Sequence, residues 1–169
     1  MNFIRSFRAW AIMTALLVSA VLAQQTKPGL LSSDELKKVA PKDYFFRGQS
    51  APVQLRNSGG IRAEGDKLVL AALVDNSGYA ADIKAKYQGM FITEVKLDIE
   101  GSSLSPGEYG FGFTNDGKFV VMDVGANDVL SVAAKTDDNL HRPVPLKIAE
   151  EGGAYRLYAG KKWVSIKVQ

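Results

Sequence analysis

Asp123 and Asp128 stand on either side of "VGAN", residues 124–127. Two carboxylates across a turn could serve a hydrolase, one as general acid and the other as base or nucleophile. Asp123 is the more informative of the two. It falls in phase with Phe119 and Val121, so an extended chain would aim it at apolar surroundings. A carboxylate buried there needs a partner. The competing reading, favoured here by turn chemistry, is an Asp at a strand end that caps the Gly125 turn. "DVGAND" also offers carboxylates and carbonyls to a cation, but its spacing matches no known calcium loop.

Other catalytic sets are thinner. His141 is the only histidine and lies in "DDNLHRP", a polar loop beside Asp137 and Asp138. One histidine cannot build a multi-histidine metal site. "GQSAP" at 48–52 lacks the second glycine of a nucleophile elbow and the strand and helix that elbow requires. The chain has no cysteine, which removes thiol catalysis and cysteine metal sites. No cofactor and no metal are implied.

Binding chemistry has more candidates. Arg47, Gln49, Gln54, Arg56 and Asn57 form a run of planar polar groups suited to carboxylate, phosphate or sugar. In "PGEYGFGF", residues 106–113, Tyr109, Phe111 and Phe113 alternate with Gly110 and Gly112. A strand there has an aromatic face and a bare one. The bare face is expected to carry a packed helix or ring, since glycine within a strand marks a close approach. The alternative is a shallow groove floored by Gly110 and Gly112, with Arg56, Asn57, Asp75, Asn76 and Tyr79 as its polar groups. Trp163, Tyr155 and Tyr158 could stack on a sugar. Strand alternation sends Tyr155 and Tyr158 to opposite faces, so core packing is the expected role.

These residues need a scaffold, and the pattern is β. Ser32 and Glu35 make a capping box for a short helix over 33–39, ended by Pro41. Tyr44, Phe45 and Phe46 are expected to plug one end of the core. "VQLR" alternates from Val53, and "NSGG" at 57–60 reads as a turn. "KLVLAALV", residues 67–74, is apolar throughout and reads as a strand covered on both faces. Ala80, Ile83, Tyr87 and Met90 fall on one helical face, which predicts a helix over 80–88 ended by Gly89. From Phe91 the chain reads as successive strands with short turns, among them "SLSPG" before "EYGFGFT" and "NDG" at 115–117. About nine strands in all predict an antiparallel sandwich or flattened barrel.

The chain has 169 residues. Residues 1–23 read as a secretory signal: Arg5 and Arg8, an apolar run from Trp10, and small residues Val21 and Ala23 before the expected cut. The run is shorter than a membrane span needs, so no retained span is expected. The organisation is then a signal over 1–23, a lead over 24–51 and a β-domain over 52–169. Without the signal's two arginines, 19 basic residues face 18 acidic ones. That balance, with no basic block beyond Lys161-Lys162, argues against nucleic acid as a partner.

"IEGSSLSPGEYGFGF" resembles a strand–turn–strand element of small secreted bacterial β-proteins that have no assigned activity, in which G-x-x-L-x-x-G-x-Y joins two antiparallel strands. Gly101, Leu104, Gly107 and Tyr109 carry the match. The resemblance implies export and a β-fold, and it carries over no functional residue.

The expected protein is therefore an exported, non-catalytic β-domain, periplasmic or secreted, that binds a small molecule, a glycan or an envelope protein. A carboxylate hydrolase built on Asp123 is the first alternative. A lipid carrier with its ligand inside a barrel, where "VLSVAAKT" leaves room, is the second.

Overall fold

The computed structural model describes residues 27–169. The expected signal at 1–23 lies outside the described residues. Among those described, no helix is long and apolar enough to cross a membrane.

The chain forms two antiparallel sheets packed face to face, with a covering layer on the outside of the larger one. The elements in order are β1 (Gly29–Leu30), α1 (Ser33–Val39), β2 (Asp43–Phe46), β3 (Gln49–Arg62), a 3-10 turn (Glu64–Asp66), β4 (Leu68–Val74), α2 (Ala81–Lys84), β5 (Gly89–Thr93), β6 (Leu97–Ile99) and β7 (Ser102–Leu104). They continue with β8 (Gly107–Phe113), β9 (Lys118–Met122), β10 (Asp128–Ala133), β11 (Lys135–Thr136), β12 (Val144–Glu151), β13 (Ala154–Gly160) and β14 (Lys162–Val168). The larger sheet runs β1-β3-β4-β5-β8-β9-β10, with β2 added beside β3. The smaller runs β12-β13-β14-β6-β7, with β11 added beside β14. The sheets form a sandwich and do not close into a barrel.

Two apolar layers hold the three tiers together. Ile61, Phe91, Leu97, Ile99, Phe111, Phe119, Leu157, Val164 and Ile166 are among the side chains that fill the space between the sheets. This interior is packed with protein and holds no barrel lumen for a lipid. The second layer lies on the outer face of the larger sheet, where Leu36, Tyr44, Phe46, Ile83 and Tyr87 cover Leu70, Ala72 and Met90. β4 shows why "KLVLAALV" has no polar phase: Val69 and Ala71 face the sandwich interior, while Leu70, Ala72 and Val74 face the cover. The lead thus belongs to the same packed unit, with β1 and β2 both paired to β3. α1 has its capping box in place, Ser32 accepting from the Glu35 N–H and Glu35 accepting from the Ser32 N–H.

Several expectations are corrected. Residues 57–60 lie within β3 and make no turn. Gly59 and Gly60 are glycines because neighbours press on them: a Cβ at Gly59 would sit 2.8 Å from Ile148 Cγ1, and one at Gly60 would sit 2.6 Å from Leu31. The chain reverses at the 3-10 turn, where the Ala63 N–H donates to Lys67. Helix 80–88 stops at Lys84, because Gln88 and Gly89 are drawn into the sheet between Val74 and Phe111. Tyr44 and Phe46 cover the outside of the larger sheet instead of plugging the sandwich, and Phe45 points out, 61 % exposed. "FITEVKLDIE" is two strands, β5 and β6, in different sheets. It bends where Thr93 Oγ1 bonds both the N–H and the carbonyl of Val95. The hairpin after Ile99 turns at Glu100-Gly101, both at positive φ, so "SLSPG" carries the chain across from β7 in one sheet to β8 in the other.

Candidate functional site

At one end of the sandwich the sheets part over an open cleft of about 680 Å³. This is within the usual range for small-ligand sites, roughly 300–1,000 Å³. One wall belongs to the larger sheet and its loops, and contributes Gln54, Leu73, Asn76, Gln88, Phe113 and Asn115. The other belongs to the smaller sheet, and contributes Thr136, Pro145, Ala159, Lys161 and Lys162. Leu73, Phe113, Pro145 and Ala159 give it apolar ground. The polar members are amide, hydroxyl and lysine side chains, and no Asp or Glu among the described residues is in the lining.

The polar groups are held by irregular backbone. Gln54 and Asn57 sit in a large bulge of β3: the register moves five residues, from Val53 to Ser58, against two residues of β4. Inside it, Asn57 Nδ2 donates to Gln54 Oε1 at 2.8 Å, Gln54 Nε2 donates to the Val74 carbonyl at 3.2 Å, and Ser58 Oγ donates to the Leu55 carbonyl at 2.7 Å. Asn76 lies in the 75–78 turn and donates to the Tyr87 carbonyl at 2.5 Å. Lys161 occupies a two-residue hairpin turn after Gly160, whose φ of +65 suits a first turn position that favours glycine. The Asp137 N–H donates to the Lys161 carbonyl at 2.9 Å and fixes that turn. Lys162, half-buried, donates from Nζ to the Thr114 carbonyl at 2.7 Å.

Of the residues singled out from the sequence for binding, the structure brings Gln54 and Asn76 into this cleft, with Phe113 on its wall and Asn57 held behind Gln54. Arg56 is exposed on the same bulge and does not line the cleft. Asp75 is exposed and accepts from the Ser77 N–H. Hydrogen bonding to Ser77 holds its carboxyl below the usual range. Tyr79 is buried in the covering layer, its hydroxyl shared between the carbonyls of Phe46 and Gln49 at 3.0 and 3.1 Å. Gly110 and Gly112 are in that layer too. A Cβ at Gly110 would enter the Phe46 ring, and one at Gly112 would strike the Lys86 carbonyl. Phe46 in turn stacks on Tyr87, ring centroids 4.0 Å apart. The bare face of "PGEYGFGF" is a packing surface.

Asp123 is the cap of its own turn. Its Oδ1 accepts from the Gly125 and Asn127 N–H groups, both at 2.9 Å, and its Oδ2 accepts from Asn127 Nδ2 at 2.9 Å. The Asn127 side chain, then the backbone donors, hold its pKa low. Asp128 is tied to Lys86 at 2.9 Å. Ser50 lies in the outer hairpin and His141 in an exposed loop of the smaller sheet.

The outer face of the smaller sheet carries the remaining aromatics. Lys147, Tyr158, Trp163 and Lys135 stand in register across four strands. The Arg156 guanidinium lies 3.9 Å from the Trp163 ring centroid, with Lys135 Nζ at 4.8 Å. Lys147 Nζ lies 4.6 Å from the Tyr158 ring. The rings are therefore occupied by cations, two of which are paired to acids, Lys135 to Glu100 and Arg156 to Glu151. Tyr155 points inward to the core, as alternation predicts.

The cleft residues missed in the sequence are Lys161, Lys162, Asn115 and Thr136. Their only local signal is that "NDG" and "AGK" are both hairpin turns. Comparisons of the chain with protein-family models, with curated proteins and with solved structures found no match.

Proposed function

We propose that the protein is a non-catalytic binding module of the extracytoplasmic space, with the end cleft as its ligand seat. The observation that carries this reading is the lining itself: apolar ground, several amide residues and two lysines between two sheets. Binding sites combine an apolar concavity with a few placed polar groups in this way. Asp123 supports a binder over a hydrolase, because its carboxylate oxygens are taken by the turn that holds it. The signal expected at residues 1–23 is the basis for export.

A thermal-shift screen against sugars, sugar acids, nucleotides and fatty acids tests this. A ligand at a hundred times its dissociation constant stabilises a fold by roughly 2.7 kcal/mol, or about 5–10 °C for a domain of this size. The shift is expected to vanish in Asn76→Ala and Lys161→Ala. A ligand whose shift survives both substitutions would place the site elsewhere, and a screen with no hit would count against a small-molecule binder.

A further inference from the structure

Resting on that reading, we infer that the ligand of the end cleft carries an oxyanion, which seats between Lys161 and Lys162. Lys161 and Lys162 are consecutive in the chain and both line the same wall. They are also differently prepared. Lys162 is anchored: one of its three N–H donors goes to the Thr114 carbonyl at 2.7 Å, which holds the nitrogen in place and leaves two donors for a ligand. Lys161 makes no side-chain hydrogen bond or ion pair with the described residues, but its backbone is pinned by the Asp137 N–H. A fixed cation beside an adjustable one is a suitable pair for the oxygens of a carboxylate or a phosphate.

Among the described residues no acid lines the cleft, and the neighbouring carboxylates have hydrogen-bond partners elsewhere. Asp137 accepts from the Asn139 N–H and the Tyr158 hydroxyl. Asp116 accepts from Thr114 Oγ1 and pairs with Lys118. A bound oxyanion would bring the two lysines the opposite charge that the lining lacks. Asn76 and Asn115 on the opposite wall, and Thr136 beside Lys162, add amides and a hydroxyl to the lining. These suit neutral hydroxyl or amide groups on the body of the same ligand.

Three probes share one hexose frame and differ at C6: glucuronic acid has a carboxylate, glucose 6-phosphate a phosphate and glucose a hydroxymethyl. Each, with inorganic phosphate as the minimal oxyanion, is titrated into the isotopically labelled full chain while backbone amide shifts are followed. At least one oxyanion is expected to move the signals of Asn115, Lys161 and Lys162 and to bind at least about tenfold more tightly than glucose. Raising the salt from about 50 to about 300 mM should weaken it. The Lys161→Gln/Lys162→Gln double variant, with an unchanged melting temperature, should lose the preference. Whether carboxylate or phosphate wins names the source. Glucose binding the cleft as tightly as both anions overturns the oxyanion seat and leaves the cleft standing as a binding site. If no oxyanion moves those signals the seat is likewise overturned, and if glucose is also silent and the ligand screen is empty, the cleft reading falls with it.

Discussion

The side-chain amide of Gln88 pairs with the backbone of Phe113 as a neighbouring strand residue would. Gln88 Nε2 donates to the Phe113 carbonyl at 3.1 Å, and the Phe113 N–H donates to Gln88 Oε1 at 3.0 Å. The Gln88 backbone meanwhile bonds to Val74 and Phe111. One residue thus extends the ladder at the point where β5 begins and the cleft opens. Gln88→Leu keeps the bulk and leaves both Phe113 groups unpaired. The expected loss is about 1–3 kcal/mol for each group left buried, read as a lower urea midpoint. An unchanged midpoint would mean that water replaces the amide at no cost.

Gly112 and Gly110 should respond unequally to a methyl group. At Gly112 the new Cβ meets a backbone carbonyl, that of Lys86, which cannot rotate away. At Gly110 it meets the edge of the Phe46 ring, part of a stack that can shift. Gly112→Ala is expected to cost about 3 kcal/mol or more and Gly110→Ala about 1–3 kcal/mol. Denaturant unfolding of the two variants checks the order, and equal losses would contradict it.

The buried tyrosines should divide by their hydroxyls. Tyr79 uses its own on two carbonyls, so Tyr79→Phe should cost about 1–2 kcal/mol. The Tyr87 hydroxyl is buried without a hydrogen-bond partner, and burial drives its pKa up. Tyr87→Phe keeps the stack on Phe46 and removes an unpaired polar atom, so its melting temperature should equal or exceed that of the wild type. A clear drop would show that the hydroxyl holds something the ring alone does not, such as a bound water.

Acid should loosen the cover before the sandwich. Hydrogen bonds from the Ser32 backbone and hydroxyl, then Arg62, lower the Glu35 pKa from 4.5 to about 2. A depressed pKa adds stability that is fully present above 4.5 and is lost as the pH falls through about 2. Asp75, Asp116 and Asp123 are also held low by their turn donors. The melting temperature is expected to fall between pH 4.5 and 2, and less steeply in Glu35→Gln, which is already without that carboxylate. Superimposable pH profiles would remove Glu35 from the account.

What the sequence made legible follows from how local each signal is. The α1 capping box needs only Ser32 and Glu35, and the structure keeps it. The doubly covered β4 announces itself through seven residues without a polar phase. Glycine was ambiguous because it has two uses. At Gly101 it makes a turn through positive φ, whereas at Gly59 it yields to Ile148, some ninety positions away. No local pattern separates those cases. Residues 80–88 carry a helical stripe, and Ile83, Tyr87 and Met90 do share one buried layer. The stripe reported the burial correctly and the backbone wrongly, because pairing with Phe111 outweighed the last helical turn. The cleft was the least legible part. Its walls come from residues 54 to 162, and Gln54 and Asn76 were the polar members recognisable from their own surroundings.

The smaller sheet has a consequence for the order of assembly. Ile166 and Val168 of β14 pair with Ile99 and Leu97 of β6, and β14 also joins β13 and β11. A chain emerging from the ribosome can pair β3 with β4 and β4 with β5 early, since those partners are near neighbours. β6 must wait across more than sixty residues for the final strand, and long loop closures of this kind are slow. Until then Leu97 and Ile99, both fully buried in the finished protein, lack the strand that will complete their sheet. β14 is therefore the element that locks the second half of the sandwich, and the smaller sheet stays open until β14 has been made and has paired with β6.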